Sequence, residues 1–263
     1  MRISLNTSSR WYDRIWASLI FFTRLPWWRI YQPPRDSYRT VIEHWPLTGW
    51  ITGGITAAIL YFGSMFYPYL VMVIIAVAVR MLLTGAFHED GLADFFDGFG
   101  GGGTNRERIL AIMKDSRIGT YGVMSLIIYE LLLITSLYSM GPYYAAFAML
   151  AADPFSKLIT AQLPLILPYA RAEEQSKSGV TYRRYGVLQG VFLTLQGLIP
   201  MAVFFIVAGV PAHWDRLIFM PCVVMYFLYL FIRSRIGGYT GDCCGAICLL
   251  TELTFYLAML TIV

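Results

Sequence analysis

Apolar runs of near-membrane length, separated by short polar connections, constrain this chain more than any other feature. A hydrocarbon core about 30 Å thick asks for ~20 apolar residues in helical form. Runs approaching that length recur at 45–67, 69–87, 119–140, 142–163, 186–210, 217–232 and 244–263. Backbone polar groups in lipid must find partners inside their own segment, so such runs become helices. Composition agrees: 57% of the 263 residues are hydrophobic and 14% are charged, against about 25% charged in a soluble domain. The expected fold is all-α, a polytopic integral membrane helical bundle with about seven transmembrane helices, one domain over residues 1–263.

An N-terminal interfacial helix precedes the first run. Trp11, Ile15, Leu19 and Phe22 recur at helical spacing in a stretch too short and too charged to span, and Pro26 ends it. Trp27 and Trp28 suit the headgroup layer. Arg14 and Arg24 interrupt the apolar pattern, which excludes a secretory signal. Arg2, Arg10, Arg14, Arg24, Arg29, Arg35 and Arg39 crowd the first segment, 1–44. Arg106, Arg108, Lys114 and Arg117 fall in 88–118, Arg171, Lys177, Arg183 and Arg184 in 168–185, and Arg233 and Arg235 in 233–243. The alternate connections at 68, 141 and 211–216 hold only Arg216. Positive-inside bias therefore assigns the N-terminus and the basic loops to the cytoplasm, in an inner membrane, with the C-terminus outside. Net charge is only +4 and serves topology, so no nucleic-acid partner is expected. Cys222, Cys243, Cys244 and Cys248 have no spaced histidine partners and read as small packing residues in a reducing compartment.

Between the second and third runs lies FHEDGLADFFDGFGGGGTNRERILAIMKDSRIGTYG, Phe87 to Gly122, an acidic, glycine-rich island. Its segment 88–118 is the expected catalytic cytoplasmic loop. Asp90, Asp94 and Asp97 stand at i, i+4 and i+7, so on a helix they share an arc of about 60°. Three carboxylates that close repel unless a cation intervenes, and Mg²⁺ is the natural partner, using carboxylates, waters and substrate phosphates. All three are expected as metal ligands and catalytic groups. Glu89 points off that face by about 100°, and His88 lies nearly opposite, as a packed or hydrogen-bonded side chain. Gly91, Gly98 and the run Gly100–Gly103 allow close backbone approach, though a flexible linker has the same composition. Arg106, Arg108, Lys114 and Arg117 could neutralise a diphosphate beside a metal, or serve as topology signals and lipid contacts. A second island, GGYTGDCCG at Gly237–Gly245, lies on the same side. There Asp242 would complete a metal shell, orient a hydroxyl, or cap a turn. The two islands together suggest one site closed from both ends of the chain.

FHEDGLADFFDG, IMKDSRIGTYG and GGYTGDCCGA resemble the motifs of the cobalamin synthase (adenosylcobinamide-GDP ribazoletransferase) family. Smaller agreements run nearly end to end, at Phe22–Pro26, Trp45–Gly49 and Tyr169–Arg171. The resemblance implies a Mg²⁺-dependent transfer in which α-ribazole, or its 5′-phosphate, displaces GMP from adenosylcobinamide-GDP. It implies catalytic roles for Asp90, Asp94, Asp97 and Asp242. It implies substrate contacts from Arg106, Arg108, Lys114, Asp115, Ser116, Arg117, Gly119, Lys157, Arg171, Gly238, Thr240 and Gly241. Expected partners besides the two substrates are membrane lipid and either other corrinoid-pathway enzymes or further copies of the chain. This sequence departs from the family pattern at Glu89, where an apolar residue is expected, and at Asp153-Pro154-Phe155-Ser156-Lys157, where lysine replaces an expected arginine.

Two other readings stand beside this one: a CDP-alcohol phosphotransferase, whose signature places Ala-Arg after Asp-Gly where this chain has Ala93-Asp94, and a cation transporter with the three aspartates as its path. Arg80 and Glu130 fall inside apolar runs at similar depth, and the cost of lone charges there predicts an Arg80–Glu130 pair.

Overall fold

The computed structural model describes residues 10–171, 181–209 and 213–263. Arg2 and Lys177, counted above toward topology, fall outside these residues, as do 210–212. The α-helices are α1 (Trp11–Phe22), α2 (Trp45–Gly63), α3 (Tyr69–Thr84), α4 (Phe87–Gly101), α5 (Arg106–Lys114), α6 (Thr120–Thr160), α7 (Leu163–Ile166), α8 (Val187–Ala208), α9 (Trp214–Leu217), α10 (Phe219–Ile236) and α11 (Gly241–Met259). Two 3-10 stretches, Trp27–Arg29 and Arg35–His44, join α1 to α2, and no strand occurs among the described residues.

The fold is an all-α polytopic membrane bundle. By length and composition four helical stretches can cross a membrane: Thr120–Ile166, Val187–Ala208, Asp215–Ile236 and Gly241–Met259. Five result if the bent pair α3 and α4 counts as one span, so the seven separate spans of the sequence reading are not reached on these criteria. One reason is α6, where the two expected runs 119–140 and 142–163 join into one helical stretch interrupted only at Gly141 (φ 74°). Another is α2, whose apolar run is diluted by Thr48, Thr52 and Thr56, all buried. Its Gly49 and Gly53 lie where a Cβ would come within about 3 Å of the α6 backbone, so this helix seats its polar stripe on protein rather than lipid. The central element is α11, with 78% of its apolar window buried against 22–33% in the other three.

As expected, α1 is a helix, its Ala17, Leu19 and Phe22 buried on the bundle while Trp11 is exposed. The Thr23–Arg24 segment then reaches the end of α3, where Arg24 N donates to Leu83 O at 2.6 Å.

The expectation of a span to 87 followed by an acidic loop is corrected by the break between α3 and α4. Gly85 (φ 68°) ends α3 in left-handed geometry, and Ala86 (φ 54°) continues it. Glycine visits that region freely, whereas alanine there costs roughly 1–2 kcal/mol. The chain turns by 88° and the acidic stretch continues as helix α4, packed inward rather than looped out. Gly91 of α4 meets Gly245 of α11 so closely that a Cβ on Gly245 would lie 3.1 Å from His88 O. The glycine run is mostly packing too: a Cβ at Gly102 would lie 2.5 Å from the Ile109 side chain of α5.

Candidate active site

Three segments converge at one end of the bundle: α4, the α5–α6 connection, and the glycine island leading into α11. Gly91 of α4 sits against the Asp242 backbone, its would-be Cβ 3.3 Å from Asp242 Cα and O. One turn further along that face comes Asp94. The structure therefore brings the acidic motif and the C-terminal island together, as expected of a site closed from both ends of the chain.

The individual aspartates differ in situation. Asp90 is exposed, whereas Asp94, Asp97 and Asp242 are buried. Asp97 is engaged with backbone. Its Oδ2 accepts the Gly119 amide at 2.7 Å and its Oδ1 the Gly122 amide at 2.8 Å. These are the orphan N–H groups at the start of α6, so Asp97 caps that helix from a neighbouring one. Asp242 lies in the first turn of α11, where Thr240 is the N-cap and accepts the Cys243 amide at 3.3 Å. Thr240 Oγ1 donates to Asp242 Oδ2 at 3.2 Å, and Arg171 Nη2 lies 3.9 Å from the same oxygen. The Arg171 side chain is 4% exposed. It also donates to Leu110 O at 3.1 Å, while its Nε finds no partner.

Other expected substrate contacts are occupied with backbone. Arg106 donates through Nε to Ile236 O at 2.9 Å and through Nη2 to Ala170 O at 2.6 Å, tying α5 to the end of α10 and to the 168–170 segment. Gly238 packs on that segment, a Cβ there falling 2.6 Å from Pro168 O, and Tyr239 N donates to Pro168 O. Gly241 is exposed, with open space around its would-be Cβ. Arg108, Lys114, Ser116 and Arg117 are exposed. Arg117 holds Asp115 at 2.6 Å and lowers the Asp115 carboxyl to about 2.

Lys157 is the clearest displacement. It is buried, paired with Asp153 one turn earlier on α6, and Asp153 also accepts Thr52 Oγ1 at 2.5 Å. This is an internal α2–α6 contact rather than a position facing the converging acids. The Arg80–Glu130 pair is likewise corrected. Arg80 Nη1 meets Glu252 Oε1 of α11 at 2.5 Å, and Nη2 donates to Tyr129 Oη at 2.8 Å. Glu130 Oε1 is buried with no hydrogen-bond partner. Neighbours in sequence point to different faces of α6, and Tyr129 holds the inward one. Glu252 went unnoticed although it lies inside an apolar run, the same signal that singled out Arg80 and Glu130. His88 is packed as expected, its ring parallel to Trp45 at 5.8 Å and to Phe22 at 6.4 Å.

Among the described residues no three His, Cys, Asp or Glu side chains converge as a ready-made metal cage. Mg²⁺ typically takes only one or two protein carboxylates, completing its shell with water and substrate phosphate. Asp90 and Asp94, one turn apart on α4, fit that smaller donor set. An open groove of about 700 Å³ lies elsewhere, between α1, the start of α2 and α8, lined by Ile15, Leu47, Leu188 and Phe192 with an Arg14–Glu43 pair.

The model of the cobalamin-5-phosphate synthase family matches residues 14–260. A protein of Leptospira interrogans named adenosylcobinamide-GDP ribazoletransferase is 34% identical over 260 residues, covering 97% of each chain. Proteins with the same name from Shewanella oneidensis and Shewanella baltica are each 33% identical over 253 residues, covering 95% of this chain and 94% of theirs. No solved structure matches.

Proposed function

This chain belongs to the cobalamin-5-phosphate synthase family, and from that premise we propose that it acts as an adenosylcobinamide-GDP ribazoletransferase at the cytoplasmic face of the inner membrane. A ribose hydroxyl of α-ribazole, or of its 5′-phosphate, attacks the phosphorus that bears the cobinamide. The new oxygen–phosphorus bond forms as the bond to the bridging oxygen breaks. GMP departs with that oxygen and the hydroxyl proton passes to a base.

The observation that carries this reading is the contact of Gly91 with Asp242, which sets the acids of α4 beside the first turn of α11. Phosphoryl transfer asks for positioning and charge neutralisation more than for covalent help. Asp90 and Asp94 would hold Mg²⁺, which supplies charge neutralisation at the diphosphate. Asp242, bonded by Thr240 and beside Arg171, would accept the hydroxyl proton. Exposed Arg108 and Lys114 would supply positive charge around the diphosphate, while Arg117 is held by Asp115. Arg106 and Lys157 are left out of substrate contact, since their donors are engaged within the protein.

The test is incubation of the purified protein in proteoliposomes with adenosylcobinamide-GDP, α-ribazole and Mg²⁺, following GMP. Release should stop in Asp94→Asn and on chelation of the metal. Full turnover in Asp94→Asn would remove the α4 acids from the mechanism, and full turnover in Asp242→Asn would reduce Asp242 to a structural role.

A further inference from the structure

Arg80 lies outside every segment given a chemical role above, yet it joins the helices that carry them. It stands on α3, 5% exposed, about one turn before the break at Gly85. From there its guanidinium reaches Glu252 of α11 at 2.5 Å, Tyr129 of α6 at 2.8 Å, and Glu89 of α4 at 3.9 Å. Glu252 Oε1 also accepts from Tyr256 Oη at 2.6 Å. Glu89 is 4% exposed. The cavity among Arg80, Thr84, His88, Glu89 and Lys157 is about 10 Å³, room for at most one water.

Stability alone does not explain such a cluster. Buried ion pairs are often matched or bettered by well-packed apolar groups, whereas a half-removed pair is strongly destabilising. Geometry gives a better reason. The direction of α4 is set at Gly85 and Ala86, two small residues in left-handed geometry, and further along by contacts with α11 and α6. The planar fork of an arginine fixes several partners at once. Glu89 directly precedes Asp90 and points about 100° away from it, so anchoring Glu89 inward sets the face on which Asp90 and Asp94 emerge.

We propose that Arg80 is a positioning residue for the transfer reaction: by sharing its guanidinium among Glu252, Tyr129 and Glu89 it fixes the direction and roll of α4 across the Gly85–Ala86 break. This rests on the reading of Asp90 and Asp94 as the working carboxylates.

The experiment uses the full chain in proteoliposomes with Arg80→Met, Arg80→Lys and the double variant Arg80→Met/Glu252→Met. Three quantities are measured: Tm, steady-state GMP release, and the distance between spin labels at Val71 of α3 and Phe96 of α4 in a Cys222→Ser background. Arg80→Met should lower kcat on the order of 10²-fold, as small misplacements of reacting groups do, with little change in KM for adenosylcobinamide-GDP and a broadened label distance. Arg80→Lys should recover part of both. The double variant should regain part of the lost Tm, because Glu252 no longer stands as a lone charge while Glu89 still does, and kcat stays low and the distance stays broad. Recovery of kcat together with Tm, or an unchanged label distance in the double variant, would overturn the proposal. Should Arg80→Met fail to fold, the lysine and double variants still decide it. Should the wild type release no GMP, the functional reading falls, and the label distances alone judge whether Arg80 sets α4.

Discussion

Asp97 of α4 accepts the backbone amide of Gly122 on α6 at 2.8 Å, and its other oxygen takes Gly119 at 2.7 Å. A carboxylate on one helix thereby caps the next, joining a hydrogen bond to a favourable helix dipole. Removing it strands buried donors at a cost of about 1–3 kcal/mol. Asp97→Ala should lower Tm in detergent, Asp97→Asn should lower it less because one acceptor remains, and Asp90→Asn, at an exposed position, should barely move it. Equal Tm values for Asp97→Ala and wild type would show the cap to be dispensable.

The same contact makes Gly119 intolerant of a side chain. A Cβ there would lie 2.5 Å from Asp97 Oδ1, and one at Gly122 would press on both the Asp97 carboxylate and Ala93 O. Gly122→Ala should therefore behave like Asp97→Ala in thermal unfolding and reduce GMP release at least as much. Gly103→Ala is the control, since its Cβ would meet nothing within 4 Å, and its penalty should be confined to the positive φ.

Arg106 bonds two carbonyls from separate segments, Ile236 and Ala170. Arg106→Gln should loosen the glycine island, and hydrogen exchange at 237–241 should accelerate. If exchange stays at wild-type rates while KM for adenosylcobinamide-GDP rises, Arg106 contacts substrate instead.

Asp115 gives a pH prediction with a definite sign. Its carboxyl is lowered to about 2 by Arg117, so the contribution of the pair is present above the ordinary carboxylate pKa near 4 and fades as pH falls through about 2. Amide exchange of Arg117, which donates to Asp115 Oδ1 at 3.1 Å, should show no change in protection attributable to the pair between pH 8 and 5. A loss of protection above pH 5 would contradict the pairing.

Sidedness can be read by labelling. In a Cys222→Ser background, an impermeant maleimide should reach Arg117→Cys from the cytoplasmic side only and Arg216→Cys from the opposite side only. Labelling of both from one side would invert the assignment of the α4–α5 region.

Much of the site was legible because its information is local. The aspartates at i, i+4 and i+7 needed only helical periodicity to be placed on one face. The interruption at Gly141 fell where two apolar runs met. His88 was read as packed from its angle to that face. Pairings were not legible. Arg80 chose Glu252, 172 residues away, over the candidate at similar depth, because depth along a helix says nothing about which faces meet. Lys157 was expected to contact substrate only through the family resemblance, and nothing in its spacing tells whether the Asp153 one turn earlier binds it or turns to solvent.

Composition and hydropathy sufficed for an all-α membrane bundle, since lipid leaves the backbone few alternatives. Motif residues sufficed to mark two polar islands. That Asp97 would spend both oxygens on α6, that Arg106 would bond backbone carbonyls, and that the acidic stretch would be a buried helix rather than a loop depended on where helices distant in sequence come to rest. Hydrogen-bond donors and charges sealed from water must be satisfied by whatever neighbour the fold supplies, and that neighbour is a property of packing.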